Sequence, residues 1–262
     1  DRCMFCTDDK HPNDLLEKGH IDYIVKKAIS LGVDPIIAVK AACHTAARYF
    51  LLNNRGAIAP GYLADFAVID NFKDFNVEMV FKKGVLYWNN GELRDFDAPQ
   101  IEEYLDKRAH DTFHVATLTP DDFRDTRQRG VLGMVPGEII TTDNGYADHV
   151  DLEKDILKIA VVERHKGTHH IGLGYIQGYG LRSGAVATSI SHDSHNIIVV
   201  GTNSADMAFA ANYIVEHHGG IVVVENGVVK GSVVLEIAGI MSDRPLTEVN
   251  DQLEAAKVAA FE

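Results

Sequence analysis

The chain has 262 residues, 46% of them hydrophobic and 24% charged, which is typical of a soluble globular protein with one large domain or two ordinary ones. A formal net charge of −13 argues against a general nucleic-acid or anionic-membrane surface, and no apolar run approaches the roughly 20 residues of a membrane helix. Three cysteines, an odd number, argue against a disulfide framework and favour a reducing compartment, which we take to be the cytoplasm.

The first residues are predicted to form a short buried strand at 3–7, followed by two helices. The start of the chain lacks the features of a secretory signal and lies within this predicted strand, so we expect the sequence to be part of a longer one. Apolar residues at three-and-four spacing predict a helix over 15–31. Asp34 before Pro35 predicts the cap of a second, alanine-rich helix that runs to about residue 50.

A β-rich section follows, with strands predicted at 66–69, 77–81 and 85–88. The dipeptide Asn90-Gly91 is a strong hairpin signal. Residues 98–111 are charged and compatible with a helix, and they are interpreted as a linker to a second domain.

The second domain begins near residue 114 and is predicted to mix strands with two helices. Its predicted strands are 139–141, 156–162, 172–176, 185–190, 197–200 and 221–224, the last continuing through an Asn226-Gly227 hairpin turn. A helix is predicted over 205–217, capped by Asn203 or Ser204, with Met207 and Phe209 as core candidates. A final helix is predicted over 247–260.

Histidines and other polar residues cluster in the second domain, in a glycine-rich stretch from 163 to 196. The candidates for binding a substrate or a metal are His165, His169, His170, His192, Asp193, Ser194, His195 and Asn196. Imidazoles and carboxylates hold borderline metals or move protons near neutral pH. Residues 192–196 directly precede a β-branched run, so they form a loop at a strand end, a common place for function. The alternative is a solvated histidine-rich loop.

The run Thr7-Asp8-Asp9 is the sharpest chemical feature of the first half. A carboxylate between the C-terminal end of a buried strand and a helix occupies the place where α/β barrels put catalytic groups, and it could bind a metal or move a proton. The alternative is an aspartate that caps a turn. Cys3 and Cys6 would point to opposite faces of a strand, so we interpret them as buried, inert thiols.

Several blocks of the sequence resemble bacterial adenine deaminases of the amidohydrolase superfamily. Residues 56–70 resemble the segment that leaves the superfamily's barrel and enters its small β-sandwich. Residues 6–12, Cys-Thr-Asp-Asp-Lys-His-Pro, resemble the last barrel strand of adenine deaminases. The blocks at 130–137, 163–168 and 192–203 resemble that family's C-terminal domain. The resemblance covers nearly the whole chain, and the order of the blocks is specific to adenine deaminase.

The resemblance implies a fold of α/β and α+β class in four parts. These are the end of a (β/α)8 metallo-hydrolase barrel at 1–54, a β-sandwich segment at 55–97, a linker at 98–113 and a C-terminal α+β domain at 114–262. It further implies hydrolysis of adenine to hypoxanthine and ammonia, a step of purine salvage, at a divalent-metal centre of manganese or iron.

In this family the aspartate that ends the eighth strand binds metal and carries the proton. The Ser/Thr-Asp pattern of the superfamily assigns that role to Asp8, with Asp9 as the alternative because the aspartate is doubled. His192 and His195 are candidates for further metal contacts. We expect the loop at residues 192–196 to face the mouth of the barrel. The alternative is that its histidines bond the backbone of their own domain and that this domain only mediates oligomer contacts.

The family's His-x-His pair and its middle carboxylate and histidine ligands have no counterpart in this sequence. A metal-dependent barrel needs several ligands around one ion, and Asp8 alone is not a site. We therefore expect the C-terminal half of an adenine deaminase, inactive without the barrel half and assembled as a homo-oligomer. The competing hypotheses are a stand-alone module that binds a ligand or partner, and a different amidohydrolase such as a dihydroorotase or allantoinase, against which the C-terminal domain speaks.

Overall fold

The structure is a computed structural model that describes residues 2–96 and 99–261. The chain forms two compact units, residues 1–100 and 101–262, and each is described by itself. Helices and strands occur in both units, so the predicted mixed α/β class is confirmed. The boundary predicted between residues 97 and 98 lies outside the described residues. That residues 1–54 end a (β/α)8 barrel stays a prediction.

The first unit begins with helices that are shorter than the sequence predicts. Within residues 2–96 they are α1 (Pro12–Lys18), α2 (Ile21–Ser30), α3 (Pro35–Ala42) and α4 (His44–Tyr49). Gly19 separates α1 from α2 because its φ of +90° does not continue a helix. Cys43 separates α3 from α4. The predicted cap is confirmed, since the Asp34 carboxylate accepts the Ile37 N–H at 3.1 Å.

Residues 3–7 form no strand, so that prediction is wrong. A strand needs a neighbour for its backbone hydrogen bonds, and the strands described within residues 2–96 pair with one another instead. The Phe5 N–H bonds the Ala41 carbonyl oxygen of α3 at 3.3 Å. Cys3 and Cys6 are exposed because this segment pairs with no strand described within residues 2–96, and their predicted burial is also wrong.

A four-stranded antiparallel sheet completes the first unit. Its strands, in spatial order, are β1 (Phe66–Ile69), β2 (Val77–Lys82), β3 (Val85–Asn89) and β4 (Glu92–Leu93). The three predicted strands are confirmed. Asn90 and Gly91 form the predicted hairpin turn with φ of 46° and 98°, the left-handed conformation that such two-residue turns require.

The second unit is built on an eight-stranded sheet. Within residues 99–261 the strands are β5 (Arg129–Met134), β6 (Thr141–Ala147), β7 (Ile156–Val162), β8 (Ile171–Gln177), β9 (Ala185–Thr188), β10 (Ile197–Gly201), β11 (Gly220–Glu225) and β12 (Val228–Val234). Their spatial order is β12-β11-β9-β10-β7-β8-β5-β6, and among the described residues each neighbouring pair is antiparallel except β5 with β8. The helices are α5 (Glu103–His110), α6 (Ser204–Glu216) and α7 (Leu246–Phe261), with a short 3-10 turn at Pro120–Phe123.

The core of the second unit lies between α6 and one face of the sheet. Its fully buried members include Met207, Ala211 and Ile214 of α6 and Val162, Val199 and Val222 of the strands. Because a helix repeats every 3.6 residues, positions 207, 211 and 214 share one face. Phe209 lies on another face and is 40% exposed, so its predicted core position is wrong and that of Met207 is confirmed. Asn203 is the cap, accepting the Asp206 N–H at 2.8 Å.

The strand predicted at 139–141 is wrong. Ile139 is 102% exposed, and β6 begins only at Thr141, after a turn at Pro136-Gly137 that carries the chain away from β5. Of the predicted strand only Thr141 lies in β6, and β5 was not predicted at all. Within the described residues no helix is both long and apolar enough to cross a membrane.

Candidate functional site

In the first unit the candidate side chains lie on the irregular segment before α1. Asp8 and Asp9 are both exposed, and Asp8 has a φ of 55°. Aspartate is among the few residues other than glycine that tolerate this left-handed conformation. The Asp8 N–H points to the Cys6 sulfur at 3.5 Å. The Asp8 carboxylate thus lies in solvent at a sharp bend four residues before Pro12, where a helix begins.

In the second unit, strand pairing brings two candidate segments to one edge of the sheet. Ile197 at the start of β10 pairs with Val162 at the end of β7, and Val162 pairs with Ile171 at the start of β8. We call residues 163–170 the Glu163 loop and residues 191–196 the His loop. Both loops leave the sheet at this edge, so the predicted cluster is assembled in space as well as in sequence.

The Glu163 loop is organised around one carboxylate. Glu163 accepts the backbone N–H groups of His165, Lys166 and Thr168 at 2.6, 2.9 and 3.2 Å, and the Thr168 hydroxyl at 2.8 Å. The Thr168 hydroxyl, with these N–H groups, lowers the pKa of Glu163 to about 2. Such a carboxylate stays ionised near neutral pH, which suits a turn-forming role and not that of a general base.

The His loop is exposed from His192 to Ser194 and turns inward at His195. His192 Nδ1 lies 2.5 Å from the Asp193 carboxylate. The His195 N–H donates to the Ser191 carbonyl oxygen at 2.5 Å, with His195 at a φ of 49°. His195 Nδ1 is buried without a hydrogen-bond partner in the described part of the chain. A buried polar atom without a hydrogen-bond partner lowers the stability of the fold by about 1–3 kcal/mol.

Three contacts join the loops. His165 Nε2 lies 2.9 Å from the Ser194 carbonyl oxygen, and the Arg164 Nε donates to the His195 carbonyl oxygen at 2.5 Å. The Arg164 backbone N–H also points to the Asn196 side-chain oxygen at 3.4 Å. The two loops therefore form one surface, and His165 bonds the backbone of its own domain, as the alternative hypothesis for these histidines has it.

The other two histidines of the Glu163 loop do not contact the His loop through any described hydrogen bond. His169 Nε2 lies 3.1 Å from the Asp122 carboxylate, at the 3-10 turn. The Thr119 backbone N–H, the Thr119 hydroxyl and His169 lower the pKa of Asp122. His170 is exposed, and its carbonyl oxygen accepts the Glu163 N–H at 3.0 Å. His169 thus links the Glu163 loop to the 3-10 turn.

The described residues do not supply a complete metal site. Among residues 2–96 and 99–261, no group of three or more histidine, cysteine, aspartate or glutamate side chains could hold an ion. A catalytic metal takes about three protein ligands. Asp8 can offer one carboxylate, and the described residues by themselves do not form a whole divalent-metal centre.

Arg164 is the residue of this region that sequence reasoning missed. It is 2% exposed, and from within the Glu163 loop its side chain bonds the backbone of the His loop. A signal was present in the sequence, because positions alternate along a strand and 160, 162 and 164 continue the core face of β7. Ala160 and Val162 are buried on that face, so the cation that follows them is expected to turn inward.

Comparison with known proteins agrees with the resemblance seen in the sequence. Residues 137–262 match the family described as Adenine deaminase C-terminal domain, and residues 1–87 match the Amidohydrolase family. An adenine deaminase of Kosmotoga olearia is 40% identical over 98% of this chain and 46% of its own length. One from Petrotoga mobilis is 42% identical over 96% of this chain and 45% of its own length.

The chain therefore spans about half the length of the curated relatives it matches. Among solved structures, a β-aspartyl dipeptidase of Fervidobacterium islandicum AW-1 is 28% identical over 30% of this chain and 21% of that chain. The TM-score of 0.28 is too low to show a shared fold. The predicted similarity to the C-terminal half of bacterial adenine deaminases is confirmed.

Proposed function

We propose that this chain, similar over nearly its whole length to the carboxyl-terminal part of adenine deaminases, takes part in the hydrolysis of adenine to hypoxanthine and ammonia. The observation that carries the proposal is 40–42% identity to proteins named adenine deaminase across 96–98% of the chain. The reaction adds water at the purine carbon that bears the amino group and releases that group as ammonia. Its place in the cell would be purine salvage.

The chain acts together with an amino-terminal portion. The chain spans 46% of the Kosmotoga olearia relative, so about half of that relative's length has no counterpart in this sequence, and we place the missing metal ligands there. The first unit supports this, because large apolar side chains of α3, of α4 and of the residues after it are more than half exposed: Ile36, Ile37, Tyr49, Phe50 and Leu51. Exposed apolar patches of this kind mark interaction sites. In this proposal residues 1–54 end a (β/α)8 barrel whose other strands lie in that portion.

Asp8 carries the proton in this proposal. It is an exposed carboxylate at a bend before a helix, and it belongs to the block that resembles the last barrel strand. A carboxylate there can take a proton from the attacking water and deliver it to the leaving amine. Asp9 is the alternative for this role. The divalent metal, manganese or iron, would receive one ligand from Asp8 and the others from the amino-terminal portion, because the described residues offer no complete set.

The His loop serves the same reaction. His195 Nδ1 is a buried polar atom without a described partner, and three polar side chains beside it, His192, Asp193 and Ser194, face solvent. These polar side chains can form hydrogen bonds to a polar ligand with little rearrangement of the loop. A cytoplasmic, homo-oligomeric enzyme is the setting we propose, and the free, exposed cysteines fit a reducing compartment.

The test compares the chain by itself with a joined protein, defined as this chain fused behind the amino-terminal part of the Kosmotoga olearia relative that precedes the match. Ammonia release from adenine is measured with added manganese. We expect turnover from the joined protein and none from the 262-residue chain. Turnover by the chain alone would contradict the need for a partner. A folded joined protein without turnover would instead favour a non-catalytic ligand-binding or oligomerisation module.

A further inference from the structure

Arg164 is a buried cation without an acidic partner in the described part of the chain. Its side chain is 2% exposed, and its described hydrogen bonds all go to neutral oxygens. Burial lowers the pKa of Arg164, the direction expected for a cation removed from water. Burying a charged group is unfavourable unless its hydrogen-bond donors have acceptors. The oxygens around Arg164 supply these acceptors and so allow the guanidinium to be buried.

The guanidinium joins three segments that are far apart in the sequence. Nε donates to the His195 carbonyl oxygen at 2.5 Å, and Nη2 donates to that of Ala238 at 2.9 Å. Nη1 donates to the carbonyl oxygen and the hydroxyl of Thr112 at 2.9 and 3.0 Å. The Phe113 ring lies 4.2 Å from the guanidinium carbon. Only the planar fork of arginine presents donors in these directions at once, because a lysine ammonium is a single point.

On the side of Gly239 the packing around the guanidinium leaves no room for a further atom. A Cβ at Gly239 would come within 3.0 Å of Nη1 and Nη2 and within 2.9 Å of the Phe113 ring. Gly239 also has a φ of +76°, which other residues rarely adopt. The guanidinium is therefore held in one place, and whatever it bonds is held with it.

The His loop depends on this bond for its conformation, because it has no regular secondary structure to hold it. Its carbonyl at His195 is fixed by a fully buried group, while His192, Asp193 and Ser194 are exposed beside it. We propose that Arg164 is a positioning residue: by holding the His195 carbonyl it sets the His loop in the geometry that adenine deamination requires. This inference rests on the proposed function, because the loop is taken to serve that reaction.

The experiment uses Arg164→Lys, which keeps the positive charge and loses the fork. In the joined protein we expect kcat for adenine to fall on the order of 10- to 100-fold with a smaller change in KM, since a displaced loop impairs the chemical step more than ground-state binding. In the 262-residue chain we expect faster amide exchange in residues 191–196, with protection kept in β7 and β10.

The matched control is Lys158→Met. Lys158 is a half-buried cation on β7 that also donates to a backbone carbonyl, that of Phe123 at 2.7 Å, but it has no described bond to the His loop. We expect this variant to lose stability while kcat and exchange in residues 191–196 stay unchanged. An equal loss of kcat in both variants would overturn the proposal, because general destabilisation would then explain the effect.

Further outcomes also decide the matter. Wild-type kcat and wild-type exchange in a folded Arg164→Lys variant would overturn the proposal. If that variant does not fold, Gly239→Ala replaces it, because the added Cβ displaces the guanidinium and keeps the arginine; unchanged loop exchange would then contradict us. If the unmutated joined protein has no turnover, the proposed function fails, and the exchange arm alone decides whether Arg164 orders the loop.

Discussion

His165 Nε2 lies 2.9 Å from the Ser194 carbonyl oxygen, so an imidazole of the Glu163 loop bonds the backbone of the His loop. A carbonyl oxygen only accepts, and this contact therefore assigns the proton to Nε2. This contact and the bond from Arg164 to the His195 carbonyl oxygen hold the Glu163 loop and the His loop together.

We predict that His165→Ala loosens the His loop without unfolding the domain. The variant removes one of the two side-chain anchors of the loop and leaves that of Arg164, so amide exchange in residues 191–196 should become faster. His170→Ala is the control, because the His170 ring makes no hydrogen bond among the described residues. Equal exchange in His165→Ala and wild type would show that this contact does not order the loop.

Glu163→Gln should reduce stability in a pH-dependent way. Folding lowers the pKa of Glu163 from 4.5 to about 2, so its stabilising effect is present above pH 4.5 and is lost as the pH falls through 2. We expect the variant to have a lower free energy of unfolding than wild type at pH 7, with a gap that narrows between pH 4.5 and pH 2. Urea unfolding at pH 7, 4 and 3 measures it. A gap that is constant with pH would contradict the assignment.

The double variant His192→Ala, His195→Ala tests the role of the His loop in turnover. We expect a loss of kcat/KM on the order of 10²-fold in the joined protein, because both imidazoles and the partner of Asp193 are removed. His217→Ala, at the end of α6, is the control. The described hydrogen bond of His217 Nδ1 goes to the Tyr213 carbonyl oxygen of that helix, so the variant removes an imidazole without touching the His loop. Unchanged activity in the double variant would leave the loop with a structural role alone.

The sequence predicted well those strands that are themselves apolar, β-branched runs. Residues 156–162 and 197–200 are β-branched runs that pair in the structure, and their bounds were predicted to within one residue. The hairpin at Asn226-Gly227 was also found, because its turn chemistry is local. Local signals of this kind need no knowledge of the rest of the fold.

The failures have a common physical origin in long-range contacts. Residues 3–7 have a strand-like composition but no neighbouring strand among residues 2–96, so their backbone bonds go elsewhere. Arg164 was missed as a site residue because its oxygens come from positions 112, 195 and 238, which only the folded chain brings together. The His cluster was found in sequence, whereas the pairing of His165 with Ser194 and of His169 with Asp122 depends on tertiary structure.

The most direct test of the central claim measures ammonia and hypoxanthine released from adenine by the joined protein and by its Asp8→Asn variant. An amide keeps the shape of the carboxylate but cannot accept the proton and is a poorer metal ligand. We predict equal amounts of both products from the unmutated protein, a rate lower by roughly 10²–10⁴-fold in Asp8→Asn, and an unchanged fold by circular dichroism. Asp9→Asn should keep most of the rate. Full turnover in Asp8→Asn would contradict the account, and if Asp9→Asn were then inactive the proton carrier would be Asp9.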